Sequence, residues 1–361
     1  MQKKYNSLNG MRAYAAIAIL AMHVLENSHY IKIDNVVYIR IGALKWLVYL
    51  FMIISGFSLC CGYYDKILQQ KISIVEFYKK RYRKILPFFT LMVLMDCIAN
   101  FNINSIIEAI ADISLAFALL PNASISVVGV GWFLGIVFLF YMLFPFFCFL
   151  IRNKKSAWIT LGICIFYNLS EQFYFLNFNH VIEGYQKHTN FLFCSMFFCI
   201  GGLIYLYRYE ITEIIKNIKN IYLIFILIIT IIVLINWSEI TNWAQPFICL
   251  SLYCMWILYA ISVESIILNN KVLNFIAEIS LEIYLCHMFV YRIIEKLNGI
   301  YILGYGYTSY ILTVFLTFIG SIIVSLLAKK IFKFSRGTLK QVQKKYLKIY
   351  YEERIRRKNN G

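Results

Sequence analysis

Ionisable side chains are scarce in the apolar stretches of this 361-residue chain, and the few that occur there are the candidates for chemistry. Arg12 and His23 stand eleven residues apart in the first apolar segment. On a helix, at about 100° and 1.5 Å per residue, they fall within roughly 20° of one another and about 16 Å apart along one face. An ionisable side chain at mid-bilayer depth is costly, so by default it faces a cavity and marks a functional path. Histidine is the side chain best suited to take a proton from a hydroxyl near neutral pH. A histidine that only bonds a neighbouring helix is the plain alternative. Arg12 weighs against it, because two costly groups then line one track.

Two carboxylates could orient that imidazole. Asp96 lies nine residues past Pro87, at about 14 Å depth, close to the depth expected of His23. Glu26 is three residues after His23 on a similar face but nearer the outer surface, and spacing leaves both open. A second intramembrane histidine, His287, follows Glu282 in Ser280-Leu281-Glu282-Ile283-Tyr284-Leu285-Cys286-His287, with structural and functional readings equally open. The cysteines show no metal-ligand spacing and read as small core residues, so no metal is expected.

The elements that must position these groups are transmembrane helices. Hydrophobic residues make up 61% of the chain and charged residues 15%, and the mean hydropathy is +0.69. Soluble chains carry about a quarter charged residues. Apolar runs near the length needed to cross a bilayer core of about 30 Å recur throughout. The fold class is therefore an all-α polytopic bundle. About ten spans are expected, near 10–28, 43–64, 85–100, 131–151, 157–170, 191–207, 221–236, 246–263, 273–293 and 307–331. Residues 101–130 contain no Lys or Arg and read as an exterior loop with an interfacial or re-entrant helix. The organisation expected is a transmembrane domain over 1–331 and a basic, amphipathic cytoplasmic tail over 332–361.

The net charge of +17 is distributed as a membrane protein distributes it, not as a nucleic-acid arm does. With the N-terminus inside, inner segments hold about 29 of the 35 Lys and Arg, twelve of them from Lys329 onward. That asymmetry places both termini in the cytoplasm of a multi-pass protein of the cell membrane. The tail, with Tyr346, Leu347, Ile349 and Tyr350 among its basic residues, suits a helix lying on anionic lipid, and no nucleic-acid partner is expected. Between the second and third spans runs Lys79-Lys80-Arg81-Tyr82-Arg83-Lys84-Ile85-Leu86-Pro87. Ordinary positive-inside charge explains such a cluster; alternatively, its cations could grip the phosphates of a cytosolic nucleotide-bearing donor. Trp132, in Gly131-Trp132-Phe133-Leu134-Gly135, opens a span where Trp commonly anchors at the interface.

These stretches, in this order, resemble the bacterial acyltransferase-3 family of membrane O-acyltransferases. Leu8-Asn9-Gly10-Met11-Arg12 with His23 resembles its opening signature, Ile54-Ser55-Gly56-Phe57 its second-span motif, and Lys80 to Pro87 its cytoplasmic motif. Trp132-Phe133-Leu134 with Phe140-Tyr141-Met142-Leu143-Phe144-Pro145, and Ser280 to His287, resemble two more. The resemblance implies transfer of an acyl group, usually acetyl from acetyl-CoA, onto a glycan hydroxyl. It also implies His23 as general base or acyl relay, Arg12 ordering the track beneath it, and Arg81 with Lys84 holding donor phosphates.

Carried onto this chain, the expected catalytic residues are His23, Arg12 and Asp96. Those expected to bind substrate are Arg81, Arg83, Lys84, Trp132, Glu282 and His287. Partners expected are acyl-CoA, a glycan acceptor and membrane lipid. Two departures stand out. Many members carry an acidic residue after the Trp motif, where this chain has Val137 and Phe138; and Lys84 replaces an arginine, losing its bidentate fork. A transporter or flippase for a lipid-linked glycan is the alternative reading. It would need no donor-binding loop.

Overall fold

The computed structural model describes residues 5–30, 32–115, 117–119, 127–175 and 189–359, with side chains described as far as 333 apart from that of Phe175. Among the described residues there is no strand. The helices are α1 (Ser7–Glu26), α2 (Asn35–Gly42), α3 (Leu47–Leu59), α4 (Asp65–Leu68), α5 (Ile74–Ala99), α6 (Ile103–Ser114) and α7 (Trp132–Leu150). They continue with α8 (Lys154–Ser170), α9 (Phe191–Asn217), α10 (Lys219–Ile235), α11 (Gln245–Ser262), α12 (Lys271–Glu278), α13 (Ser280–Lys296) and α14 (Tyr307–Asn359).

By length and composition six stretches can cross a membrane: Ser7–Glu26, Asn35–Leu68, Gly129–Leu150, Phe191–Asn217, Gln245–Ser262 and Tyr307–Lys333. A seventh is counted if α12 and α13, bent by 70° at their junction, form one broken span. The remaining three of the ten expected spans fall on helices too, for a physical reason apart from the rest. Helix α5 carries Glu76, five basic residues and Asp96 along with its apolar half, and α8 and α10 have 17 residues each. At 1.5 Å per residue such a helix is about 25 Å long, short of a 30 Å core. The expected helix in the exterior loop is α6; residues 120–126 of that loop lie outside the described residues. Helix α14 runs unbroken from the last span into the basic tail.

Helix α1 is central, packed against α3, α11, α12, α13 and α14. Its Ala13, Ala15 and Ala16 are buried, and small side chains let neighbouring helices come close where no hydrophobic force drives association. Its two ends are pinned. At the N-terminal end Ser7 Oγ donates to Val263 O (2.9 Å) and Asn9 Nδ2 to Asn274 Oδ1 (2.9 Å), and a Cβ on Gly10 would collide with the Leu268 backbone. At the C-terminal end Tyr291 OH donates to Asn27 O (2.7 Å) and Tyr310 OH to Ala21 O (3.1 Å), tying α1 to α13 and α14.

Helices α3 and α9 meet at glycines: a Cβ on Gly56 would strike Phe198 O, and one on Gly201 would strike Ile53 O. On α14, Ser309, Thr313, Thr317, Ser321 and Ser325 recur every fourth residue and are fully buried, giving α14 a narrow face against α13. Between α1, α10 and α11 opens an apolar cavity of about 390 Å³ lined by residues including Met11, Ala15, Leu227, Trp237 and Trp256. It carries none of the candidate groups.

Candidate active site

One pole of the site is a cluster of cations. Arg12 Nη2 donates to Ser58 Oγ (2.8 Å) near the end of α3. Helix α3 then widens into a π-helical turn, Cys60–Tyr64, of the kind often found at functional sites. This turn delivers Tyr63 to Arg81, whose Nη2 donates to Tyr63 OH (2.6 Å). The Arg81 guanidinium lies 4.6 Å from the Tyr63 ring centre and 5.7 Å from that of Tyr141, a cation–π geometry that holds the fork in place. Its Nε is buried without a partner. The Tyr141 phenol lies against both Arg12 and Arg81, and Lys84 has Arg12, Arg81, Glu282 and Lys329 as charged neighbours. Glu282, in the first turn of α13, is paired with Lys329 (3.8 Å).

None of the four ion pairs among the described residues includes Arg12, Arg81 or Lys84. Three cations thus gather at one end of α1 against a single nearby carboxylate, Glu282, which is itself paired with Lys329, and this surplus of positive charge favours a polyanion. Arg83 is exposed; two residues from Arg81, it points about 200° away around α5 and is not part of this cluster.

The other pole is at the α1–α13 interface, where the rings of His23 and His287 lie with centroids 5.2 Å apart, tilted by 33°. His287 is 1% exposed. Its Nδ1 is 2.7 Å from Tyr284 O and 3.2 Å from Ile283 O; carbonyls only accept, so Nδ1 carries the proton and Nε2 the lone pair. That Nε2 is buried and has no partner. Among the described residues no side chain hydrogen-bonds the His23 ring.

The expected pairing of His23 with Asp96 is not made. Asp96 is 5% exposed and accepts from Arg292 Nη1 (2.7 Å) at one oxygen and from Val128 N (2.9 Å) at the other. Depth arithmetic placed it near His23 along the bilayer normal but said nothing of direction. On α13, Arg292 is five residues beyond His287, about 7.5 Å further along the axis. Asp96 is turned to that position, where it fixes the chain entering α7. Glu26 is also unavailable to His23: it is exposed, and its carboxylate faces Gly42 and Lys45.

Trp132 opens α7 as expected and is half-buried, packed edge-on to Phe133 (6.1 Å); Phe133 in turn meets Tyr284 (5.4 Å), whose OH donates to Val130 O (2.9 Å). The Trp motif therefore braces the helix turn that holds His287. Val137 and Phe138, where an acidic residue was expected from the resemblance, are buried, Phe138 edge-on to Tyr82 (4.8 Å).

Sequence reasoning missed Ser58, Tyr63 and Arg292. The first two sit just after the Ser55-Gly56-Phe57 motif, and a tyrosine within reach of a basic cluster is the signal that could have found Tyr63. The signal for Arg292 was a basic residue closing an otherwise apolar run. No group of three or more His, Cys, Asp or Glu among the described residues could hold a metal ion.

No curated protein and no solved structure matches the chain. A family model described as an acyltransferase domain matches residues 5–330, all but the edges of the chain and every group of both poles. On that match, the chain belongs to the acyltransferase-3 family.

Proposed function

We propose that this membrane acyltransferase moves an acetyl group from acetyl-CoA to a hydroxyl of a cell-surface polysaccharide or its lipid-linked precursor, with His23 as general base. The observation that carries the reading is the polarity of α1: a surplus of cations outside any ion pair at one end and a histidine pair about 16 Å along the same face at the other. The cations suit the phosphates of a CoA thioester presented from the cytoplasm, with Arg81 and Lys84 gripping them and Arg12 at the foot of the path. Positive-inside charge supports both termini in the cytoplasm of the cell membrane.

In the reaction, His23 takes the proton of the acceptor hydroxyl as its oxygen attacks the thioester carbonyl. The carbon–oxygen bond forms, the carbon–sulfur bond breaks, and the proton passes from the imidazolium to the departing thiolate. His23→Ala is expected to abolish acetyl transfer to glycan by membranes in which the protein inserts at its normal level. Glycan acetylation at the wild-type rate in that variant would overturn the assignment.

A further inference from the structure

We infer that His287 is the positioning residue of His23, filling with a neutral imidazole the place a carboxylate would take. The inference rests on the acyl-transfer reading above. Three observations on the structure carry it. The proton on His287 is held at Nδ1 by the carbonyls of Tyr284 and Ile283, so its Nε2 can only accept. That acceptor is buried with no partner, a cost the fold does not relieve by itself. The ring next to it is His23, at 5.2 Å between centroids, a separation that a hydrogen bond between ring nitrogens spans once the rings turn edge to edge.

The surrounding packing makes this a built arrangement. Tyr291 ties the C-terminal end of α1 to α13, and Ser28 Oγ shares a 2.8 Å hydrogen bond with the same Tyr291 hydroxyl. Tyr284, whose carbonyl holds the His287 proton, is itself fixed through its hydroxyl to Val130 O. The two carboxylates that could have oriented His23 face elsewhere, Asp96 to Arg292 and Glu26 to Lys45. Accepting from one His23 nitrogen leaves the lone pair of the other for the acceptor hydroxyl. When that nitrogen takes the hydroxyl proton, His23 becomes an imidazolium hydrogen-bonded to a neutral His287. Its proton then goes to the thiolate sulfur, and both rings return to their starting states.

The test uses the purified full chain with acetyl-CoA and its glycan acceptor, comparing wild type, His23→Ala, His287→Leu and His287→Gln. Leucine keeps the volume and removes the acceptor; the glutamine oxygen reaches close to the Nε2 position. His287→Leu is expected to lower kcat by about 10²–10³ with the KM for acetyl-CoA unchanged, the scale of losing an oriented acid–base group. His287→Gln should recover at least a tenth of the wild-type kcat. Gel filtration in detergent checks that both fold.

Wild-type kcat in His287→Leu, with His23→Ala inactive, overturns this inference alone. Equal loss in the Leu and Gln variants does so too, since a ring needed only for packing or as the base itself gains nothing from an amide oxygen. Undiminished transfer by His23→Ala overturns the parent reading and this inference with it.

Discussion

Asp96→Asn separates a structural carboxylate from a catalytic one. Asp96 is almost wholly buried, with its side chain 7% exposed against 40% for that of Arg292, and the two are 2.7 Å apart. Asparagine keeps an oxygen for Val128 N–H but presents an uncharged amide to the guanidinium. A hydrogen bond to a charged group contributes about 1.5–3 kcal/mol, and an exposed ion pair about 0–1. With one partner buried and the other free to turn to water, the loss should be about 1–2 kcal/mol, a fall in melting temperature on the order of 1–3 °C.

Because Asp96 does not touch His23, kcat should change by less than about threefold, whereas removing an oriented acid–base partner costs about 10²–10⁴. The assay pairs thermal unfolding in detergent at a fixed scan rate with the transfer rate. It is applied to Asp96→Asn, Arg292→Gln and the double variant, whose loss should be smaller than the two single losses summed by about 1 kcal/mol. A kcat reduced a hundredfold or more in Asp96→Asn, at unchanged melting temperature and with no coupling to Arg292, would refute the reasoning and return Asp96 to the catalytic role.

Three other outcomes follow from the same geometry. Replacing both Arg81 and Lys84 by Ala should raise the KM for acetyl-CoA by about 10²–10⁴-fold with a smaller effect on kcat, from two charge-assisted bonds of about 1.5–3 kcal/mol each; unchanged steady-state dependence on donor counts against the cationic pole. Gly56→Val drives methyl groups into the Phe198 carbonyl and should cost about 2–3 kcal/mol or prevent assembly of the α3–α9 pair, read as loss of monodisperse protein in detergent. Asp112 on α6 is fully buried with both oxygens unpartnered, and burial, with Glu108 and then Asp96 nearby, pushes its carboxyl up to about 8. The folded state thus holds a proton that the unfolded chain gives up above about pH 4, so the docking of α6 weakens as pH rises from there to about 8 and is level beyond. Hydrogen exchange of 103–114, corrected for intrinsic rates, should show this slope in wild type and lose it in Asp112→Asn.

Much of the fold was legible because a bilayer leaves few options: apolar runs must be helices, and basic residues mark their inner ends. The span count was less so. A hydropathy run does not say whether a 17-residue helix such as α8 crosses fully, nor that Ile279 would break the run into α12 and α13 at a 70° bend. The motif glycines were visible, but not what approaches them: Gly10 and Gly56 are there for Leu268 and Phe198, partners more than a hundred residues away. The cations of the 79–84 stretch were legible as a cluster, because charge survives any packing. Their selection was not, since Arg81 and Arg83 differ only in which side of α5 faces the bundle.

The histidines show where one-dimensional reasoning stops. Counting residues along each helix gives depth, and depth alone made Asp96 and His23 neighbours. Which way a side chain points around its helix depends on packing between elements, here the pins from Tyr291 and Tyr310 that set the rotation of α1 against α13 and α14. The clue available without coordinates was a pair of departures read together. Apolar Val137 and Phe138 stand where an acid was expected, and a second histidine stands at the end of the Ser280–His287 stretch. Once Val137 and Phe138 are buried among apolar neighbours, no carboxylate can reach His23 from that turn of α7, and the lone pair on His287 Nε2 is the polar group left beside it.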